Sequence, residues 1–548
     1  MDNPVRRRKR ARPPEATRLE VPRKRDFLWV LVCGPWIVGS GIAAARAPEA
    51  PSSQPSTSLD CASLRQLNLP HTTIATTETV AAGAFHSPAA AGPGRPPVDF
   101  SKLPAFCRVT GSIHPTADSD IRFELWLPLH GWNHRFMQTG NGGAAGSIVY
   151  SSLADPLARG YAVANTDTGH QGGPADFSWA VGHPDKMVDY DYRAVHELTV
   201  TGKAITAAGF GAAPQKSYWL GCSTGGRQGL KEAEQYPQDY DAIVAGAPAS
   251  NWSPLMALSI EIQGSLGPQG LGLDKLALLK EAAIAQCDAL DGVKDRVISE
   301  PVRCDFDPAS LQCKNGTSHN CLSAAEVVAA KRIYGGVVEK NGKVRIAGTG
   351  PASELQWAAF IPSRFDIGTN YFRNVVARDP SWNPATFDVD TDLARAEKVD
   401  SGRADAMNPD LGRFISHGGK LITYHGTTDG LIPSGNSVRY YESVLAKLGA
   451  QRTHDSVRFY LVPGMEHCSG GEGAFQIDWL TALENWVEKG QAPGALPAAH
   501  PAMTPGPPGA PSVQGKAFTR LACAYPQIAK YNNSGDTADA TSFSCVSP

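Results

Sequence analysis

Residues 217–225 read Ser217-Tyr-Trp-Leu-Gly-Cys-Ser-Thr-Gly225, and the fold class can be inferred from this stretch. Its first half is an apolar run of strand length. Gly221 to Gly225 match the G-x-S-x-G pattern, which places a serine on a sharp turn between a strand and a helix. Residues 224–236 are predicted to form that helix and residues 242–245 a further strand. This order forms a βαβ unit of a parallel sheet, so the chain is predicted to be an α/β protein.

The same alternation of strands and helices is found before residue 250 and again after residue 417. The predicted strands are 122–128, 135–139, 161–165, 420–424 and 457–462, and the predicted helices are 191–208, 437–448 and 475–489. Residues 251–416 contain four cysteines, an acidic loop and several aromatic residues without this alternation. We interpret them as a large lid domain inserted into a core, whose first part is 61–250 and whose second part is 417–548.

The N-terminus has the pattern of an export signal. Residues 1–26 contain ten Lys or Arg and four Asp or Glu, and residues 27–45 form an apolar run that ends in small residues. Residues 1–46 are therefore predicted to be an export signal, or an uncleaved membrane anchor because the run is long enough to span a bilayer. Residues 47–60 follow as a Pro/Ser-rich linker. The rest of the chain is acidic, which argues against a nucleic-acid partner.

Two further motifs complete a candidate catalytic triad with Ser223. Asp429 lies in a loop after the strand 420–424, where a carboxylate can hold a histidine in its productive tautomer. His467 again directly follows a strand, and the order Ser…Asp…His is that of α/β-hydrolases. Asp429 could instead cap the following helix. His425 lies closer to the acid in sequence, but its position at a strand end favours a structural role.

Ester or amide chemistry on such a triad also needs hydrogen-bond donors for the tetrahedral oxyanion. The backbone N–H of Thr224, next to the nucleophile, is one predicted donor. The glycine-rich loop 140–146 follows the strand 135–139 and should supply the second, from Gly142 or, failing that, Gly143. An ordinary flexible loop is the alternative.

Ten cysteines remain outside the apolar run, and an even number in an exported chain indicates five disulfides. Zinc is a poorer explanation because there is no Cys-x-x-Cys pair and no cluster of histidines. If Ser223 and His467 meet, their neighbours Cys222 and Cys468 are brought together and can form a bridge. Sequence does not fix the connectivity. The economical local pairs are Cys287–Cys304, Cys313–Cys321 and Cys523–Cys545, which leaves Cys61 with Cys107.

Several motifs resemble the tannase/feruloyl esterase family, which includes mono(2-hydroxyethyl) terephthalate hydrolase. They are Gly-Cys222-Ser223-x-Gly-Gly, Tyr-His-Gly-x-x-Asp429, His467-Cys468, Asn165 to His170 and Asn408-Pro-Asp-Leu. The resemblance covers residues 60 to 545. It implies an α/β-hydrolase core with a large inserted lid that carries a calcium site, and hydrolysis of aromatic carboxylic esters.

The implied calcium site can be assigned to residues of the lid. Asp288, Asp291 and Asp295 supply carboxylates, and the carbonyls of Val293 and Val297 supply further oxygen ligands of the type calcium prefers. The loop lacks the spacing of an EF-hand, and a solvated acidic turn is the alternative. A second acidic run at Asp388, Asp390 and Asp392 is better explained as the cap of a following helix.

These observations predict an exported serine carboxylic ester hydrolase that acts on small aromatic acid esters, of feruloyl, galloyl or hydroxycinnamoyl type, through an acyl-enzyme. The alternatives are a terephthalate monoester hydrolase, a serine peptidase, or a catalytically idle binding protein. No nucleic acid is expected as a partner, and no membrane beyond the N-terminal anchor. Lid residues that could select the substrate are Trp357, Phe360, Arg364, Phe365, Tyr371, Phe372 and Trp382.

Overall fold

The fold is built on a nine-stranded mixed sheet with the strand order β1-β2-β3-β5-β4-β6-β7-β10-β11. The computed structural model describes residues 59–88, 98–267, 270–314, 319–504 and 513–548. The sheet strands are β1 Thr72–Val80, β2 Phe106–Ile113, β3 Ile121–Pro128, β4 Arg135–Thr139, β5 Ala162–Thr166, β6 Lys216–Cys222, β7 Ala242–Gly246, β10 Lys420–Gly426 and β11 Val457–Val462. Strands β1, β2, β3 and β5 pair antiparallel, and the pairs from β5 to β11 are parallel.

Helices cover both faces of this sheet, as a parallel sheet requires. Their bounds are α1 Tyr150–Ala158, α2 Pro184–Val188, α3 Ala194–Phe210, α4 Thr224–Gln235, α5 Trp252–Ser265, α6 Leu273–Cys287, α7 Ala324–Gly335, α8 Glu354–Trp357, α9 Ile367–Tyr371, α10 Val389–Asp400, α11 Gly412–Ser416, α12 Ser434–Leu448, α13 Ala450–His454 and α14 Trp479–Lys489. One apolar core joins a sheet face to α3, α4 and α12, and a second joins the opposite face to α1 and α14. The predicted α/β class is confirmed.

The segment between β7 and β10 holds helices α5 to α11 and a short hairpin of β8 Val337–Val338 and β9 Val344–Ile346. Its helices share an apolar core of their own, built on α5, α6, α7, α9 and α10. Asp388 caps α10 by accepting a hydrogen bond from the Thr391 N–H, as the second acidic run predicts. The bounds of the lid domain stay a prediction, since all described residues belong to one compact unit.

The C-terminal part adds small antiparallel sheets formed by β12 Leu496–His500, β13 Met503–Thr504, β14 Val513–Gln514, β15 Phe518–Ala522, β16 Ile528–Tyr531 and β17 Phe543–Val546. All five predicted disulfides are present with the predicted pairs. The predicted export signal and most of the linker lie outside the described residues. No helix in the described part of the chain combines the length and the apolar character needed to cross a bilayer.

Candidate active site

Ser223, the candidate nucleophile, lies on the turn between β6 and α4. Its φ of 64° and ψ of −124° are rarely adopted by residues other than glycine. A Cβ atom on Gly221 would lie 2.5 Å from the carbonyl oxygen of Gly225, so the turn requires glycine there. The Ser223 N–H donates to the Gly246 carbonyl at 3.0 Å, which ties the turn to the end of β7. The predicted strand, turn and helix are therefore present, and the serine lies at the carboxyl end of the parallel strands.

Asp429, the candidate acid, lies in the loop after β10 and is only 1% exposed. Its Oδ1 accepts hydrogen bonds from the N–H groups of Leu431 and Ile432, both at 2.9 Å. Its Oδ2 accepts from Nδ1 of His467 at 2.7 Å. Burial alone would raise the pKa of Asp429, but the adjacent His467 and His425 outweigh it and hold this pKa well below its ordinary value. Asp429 is therefore ionised and fixes the ring of His467.

His425 is fully buried behind the acid. Its Nε2 lies 3.2 Å from Oδ2 of Asp429 and 2.9 Å from the carbonyl oxygen of Ile432. Because both of these neighbours are acceptors, Nε2 carries the proton, and Nδ1 can accept from the Ser437 hydroxyl at 2.8 Å. His425 therefore supports the acid from the side away from the cavity, which agrees with the predicted structural role.

The Cys222–Cys468 disulfide joins the serine turn to the histidine loop with a Cα–Cα distance of 6.0 Å. Ser223 and His467 line the same cavity. In the described part of the chain the Ser223 hydroxyl makes no hydrogen bond, so the contact with His467 is open in this structure. Such contacts are often long without substrate and tighten when it binds.

The glycine-rich loop packs directly on the start of α4. A Cβ atom on Gly140 would lie 2.4 Å from the Cα of Gly225. The Gly143 carbonyl accepts from the Thr224 hydroxyl at 2.7 Å and from the Tyr190 hydroxyl at 3.1 Å. Among the described residues, the backbone N–H groups of Gly142 and Thr224 have no hydrogen-bond partner. Two donors are thus free beside Ser223, where an oxyanion would form.

The segment 165–170, one of the motifs of the family resemblance, supports this loop from below. The Asn165 amide donates to the Thr139 carbonyl at 2.8 Å, and Nε2 of His170 donates to the Ala144 carbonyl at 2.7 Å. Burial lowers the pKa of His170 to about 4, so its ring is neutral at neutral pH. The motif therefore has a scaffolding role under the candidate oxyanion donors.

The cavity that contains Ser223 and His467 has a volume of about 1170 Å³. One wall is the glycine loop, and the lid forms another. A third wall comes from residues 83–87 and 98–101, with Phe85 and Phe100, which the sequence did not reveal. Of the seven candidate substrate-selecting residues, only Phe360 and Phe365 line the cavity. The other five do not line it: Trp357, Tyr371 and Phe372 are buried in the lid core, Trp382 packs on Phe372, and Arg364 is exposed at the surface.

In the predicted calcium loop, each aspartate accepts a hydrogen bond from a backbone N–H of the same loop. The pairs are Asp288 with Asp295 N at 3.1 Å, Asp291 with Val293 N at 2.9 Å, and Asp295 with Val297 N at 3.1 Å. Asp295 also forms an ion pair with Arg520. Within the described residues, these three carboxylates do not converge to within 4.8 Å of one another.

The donor chemistry of the loop still fits calcium. The Val293 and Val297 carbonyls accept no hydrogen bond in the described part of the chain. Burial, with a contribution from neighbouring carboxylates, raises the pKa of Asp288 and of Asp291. The Cys287–Cys304 disulfide closes the loop at its base. Hard oxygen ligands are therefore available here for a hard cation.

Comparisons with known proteins identify the family of this chain. The family model described as "Tannase and feruloyl esterase" matches residues 107–546. An uncharacterised esterase of Xanthomonas campestris pv. campestris is 36% identical over 541 residues, covering 90% of this chain and 92% of that protein. A probable feruloyl esterase B-2 of Aspergillus terreus is 35% identical over 463 residues, covering 80% and 86%.

Among solved structures, feruloyl esterase B from Aspergillus oryzae superposes with a TM-score of 0.79 at 29% identity, covering 89% of this chain and 99% of that one. This similarity confirms the predicted α/β-hydrolase fold, and the family match confirms the resemblance drawn from the motifs. The chain therefore belongs to the tannase and feruloyl esterase family, and it is a carboxylic ester hydrolase.

Proposed function

We propose that the protein is an exported serine esterase that hydrolyses esters of aromatic carboxylic acids, of feruloyl, galloyl or hydroxycinnamoyl type, through an acyl-enzyme. The observation that carries this proposal is the hydrogen bond between Asp429 and His467 at 2.7 Å, joined to the Ser223 turn by the Cys222–Cys468 bridge. The named feruloyl esterases among its relatives point to the same substrate class. Export is supported by the five disulfides, which persist in oxidising compartments.

In the proposed reaction the Ser223 hydroxyl attacks the ester carbonyl carbon while Nε2 of His467 takes its proton. Asp429 stabilises the resulting imidazolium, and the N–H groups of Thr224 and Gly142 stabilise the oxyanion. His467 then gives the proton to the departing alkoxide, which leaves an acyl group on Ser223. Water attacks this acyl-enzyme with His467 again as the base, which releases the acid and restores the serine.

The lining of the cavity favours esters whose aromatic part carries no free carboxylate. Phe85, Phe100, Phe360 and Phe365 offer ring surfaces for an aromatic acyl group. The described lining contains no Arg or Lys, and it contains Asp99. A terephthalate monoester bears a carboxylate that would find no Arg or Lys partner in this lining. We therefore rank hydroxycinnamate esters above terephthalate monoesters as substrates.

The test is an assay of purified wild type and Ser223→Ala on methyl ferulate, a gallate ester, mono(2-hydroxyethyl) terephthalate and a peptide. Wild type should hydrolyse the first two fastest. Ser223→Ala should lose at least about 10⁴-fold in kcat with its fold intact, because the nucleophile is gone. Ser151→Ala removes another hydroxyl from the cavity lining and should stay near wild type. Turnover of all esters by Ser223→Ala at the wild-type rate would refute the mechanism.

We also propose that the lid loop binds one structural calcium ion through Asp288, Asp291, Asp295 and the carbonyls of Val293 and Val297. When bound, calcium would neutralise the three carboxylates and hold the loop together. A strong chelator should lower the thermal midpoint of wild type, because a metal bound only by the folded state stabilises it. It should have little further effect on Asp288→Asn.

Asp305→Asn is the matched control for this calcium prediction, because Asp305 is exposed on the other side of the same disulfide. That variant should respond to the chelator as wild type does. Elemental analysis should find one calcium per chain in wild type. Its absence from protein purified without chelator would contradict the proposed site.

A further inference from the structure

A second cluster of ligand-type side chains lies apart from the cavity, where α3, α4 and the turn before β7 meet. It contains His196 of α3, Glu232 near the end of α4, and Asp239 of the turn. One potential ligand atom from each lies within 4.8 Å of the other two, and no other group of three in the described residues does so. The ester chemistry proposed above makes no use of these side chains.

Glu232 is the buried base of this cluster. It is only 1% exposed, and in the described part of the chain neither of its carboxylate oxygens has a hydrogen-bond partner. A carboxylate stripped of water and left without a partner is strongly unfavourable, so this position calls for a cation or a proton.

His196 and Asp239 form the outer side of the cluster. Nδ1 of His196 lies 2.6 Å from Oδ2 of Asp239, and the imidazole ring stacks on Tyr236 at 3.7 Å between ring centroids. The side chain of His196 is 27% exposed and that of Asp239 is 15% exposed, which leaves access from solvent. The nearby Lys203 donates to the backbone carbonyl of Asp239 and, among the described residues, forms no hydrogen bond with Glu232.

We propose that His196, Glu232 and Asp239 bind a divalent first-row transition-metal ion of the zinc type. One imidazole nitrogen and two carboxylates are a ligand set that zinc accepts, with water completing the coordination. Calcium and magnesium prefer oxygen ligands only, so the imidazole separates this site from the calcium loop of the lid.

The position of the site indicates a structural role. Glu232 follows Ser223 by nine residues on α4, which corresponds to about 14 Å along the helix axis at 1.5 Å per residue. A bound ion would therefore join α3, α4 and the start of β7 from the end of α4 opposite the nucleophile. It would stabilise the support of the serine turn without contacting the substrate.

The test uses the full chain after treatment with a chelator and dialysis. Zinc added alone should bind with one equivalent by calorimetry and raise the thermal midpoint, and cobalt at the same site should show the absorption bands of a low-coordinate complex. Glu232→Gln should weaken zinc binding at least about 100-fold, since even changes outside the ligand shell cost 10–100-fold. Glu197→Gln removes a neighbouring carboxylate that is not in the cluster and should bind zinc as wild type does.

If Glu232→Gln fails to fold, His196→Gln tests the proposal instead. The His196 side chain is partly exposed, so its replacement should leave the core intact. The variant should also lose zinc binding and the cobalt bands. Saturable zinc binding that survives in His196→Gln would overturn the proposal. The same holds if wild type shows no zinc binding and no change in thermal midpoint, in which case Glu232 is a buried carboxylic acid that donates to Asp239.

Discussion

Two imidazole rings contact the same carboxylate oxygen of Asp429, and their environments separate their roles. His467 lines the cavity, whereas His425 is buried between the acid, Ile432 and Ser437. The hydrogen bond from His425 limits rotation of the carboxylate, so Oδ2 stays directed at His467. In the proposed reaction, a carboxylate held in this way would need little reorganisation when positive charge develops on His467.

We expect His425→Asn to lower kcat about tenfold to 100-fold with little change in KM. The carboxylate loses a donor and part of its fixed orientation, but the triad itself remains. The loss should stay well below the roughly 10⁴-fold effect of removing the charge of the acid. Steady-state kinetics on an aromatic ester check this. Ser437→Ala is the control, because it removes only the outer hydrogen bond of His425. Wild-type kcat in His425→Asn would contradict the positioning role.

The candidate triad could be predicted at the residue scale because each member lies in a short motif directly after a strand. Parallel strands end at one edge of the sheet, so the motifs converge there whatever lies between them. Phe85 and Phe100 could not be predicted in the same way. Their contact with the cavity depends on how residues 83–87 and 98–101 pack at its edge, and no local sequence pattern predicts that packing. His196, Glu232 and Asp239 were missed for a similar reason, since no spacing rule links α3 to the end of α4.

At the scale of elements, predicted and observed bounds differ mainly at helix starts. The helix predicted from residue 475 begins at Trp479, because the side chain of Asp478 accepts from the Thr481 N–H and caps it there. The helix predicted from residue 191 is preceded by a π-helical turn at Asp189–Arg193 and becomes α-helical at Ala194. Strand β10 extends to Gly426 beyond its predicted end, because it pairs along its length with β11.

The disulfide between the serine turn and the histidine loop should contribute both to kcat and to stability. We expect Cys222→Ala with Cys468→Ala to fold and to lose much of its kcat, because the distance from Ser223 to His467 would depend on loop packing alone. Without the bridge the unfolded chain also gains conformational entropy. For a loop of this length the chain-entropy model puts the resulting loss of stability at about 5 kcal/mol. Kinetics and thermal unfolding of the double variant check both effects.

Removal of the Cys313–Cys321 bridge is the control for this comparison, since that bridge lies in the lid and spans only 8 positions. That variant should keep its kcat. Peptide mapping without reduction should recover Cys222 and Cys468 in one linked fragment. Full activity of the variant without the 222–468 bridge would show that packing alone positions the histidine.

At the scale of the whole molecule, the cavity is a joint product of segments far apart in the chain. Residues 83–87 and 98–101 precede β2, Leu255 and Phe360 belong to the lid, and Ile432 follows β10. The candidate catalytic residues Ser223 and His467 lie at the edge of the sheet. The apolar walls of the cavity come from the lid and from the residues that precede β2. We therefore expect mutations in these walls to change substrate choice without removing the chemistry.

We expect Phe360→Ala to raise KM for methyl ferulate about tenfold, because a ring surface for the acyl group is lost. Hydrolysis of p-nitrophenyl acetate should change little, because its acyl group is too small to reach the lid. Arg364→Ala alters the same lid segment outside the cavity and should leave both substrates unaffected. An equal loss on both esters would indicate a general disturbance of the site instead of a lost contact.

The Cys222–Cys468 bridge closes a covalent ring that consists of residues 222–468, and the entire lid is part of this ring. A protease that cuts one peptide bond inside the ring opens it without releasing a fragment. The piece that carries Ser223 and the piece that carries His467 remain joined next to the serine turn itself. A nick in a lid loop would thus convert the enzyme into a two-chain form whose catalytic groups are still tethered. A cut in the backbone of the lid and a loss of the active site would then be separate events.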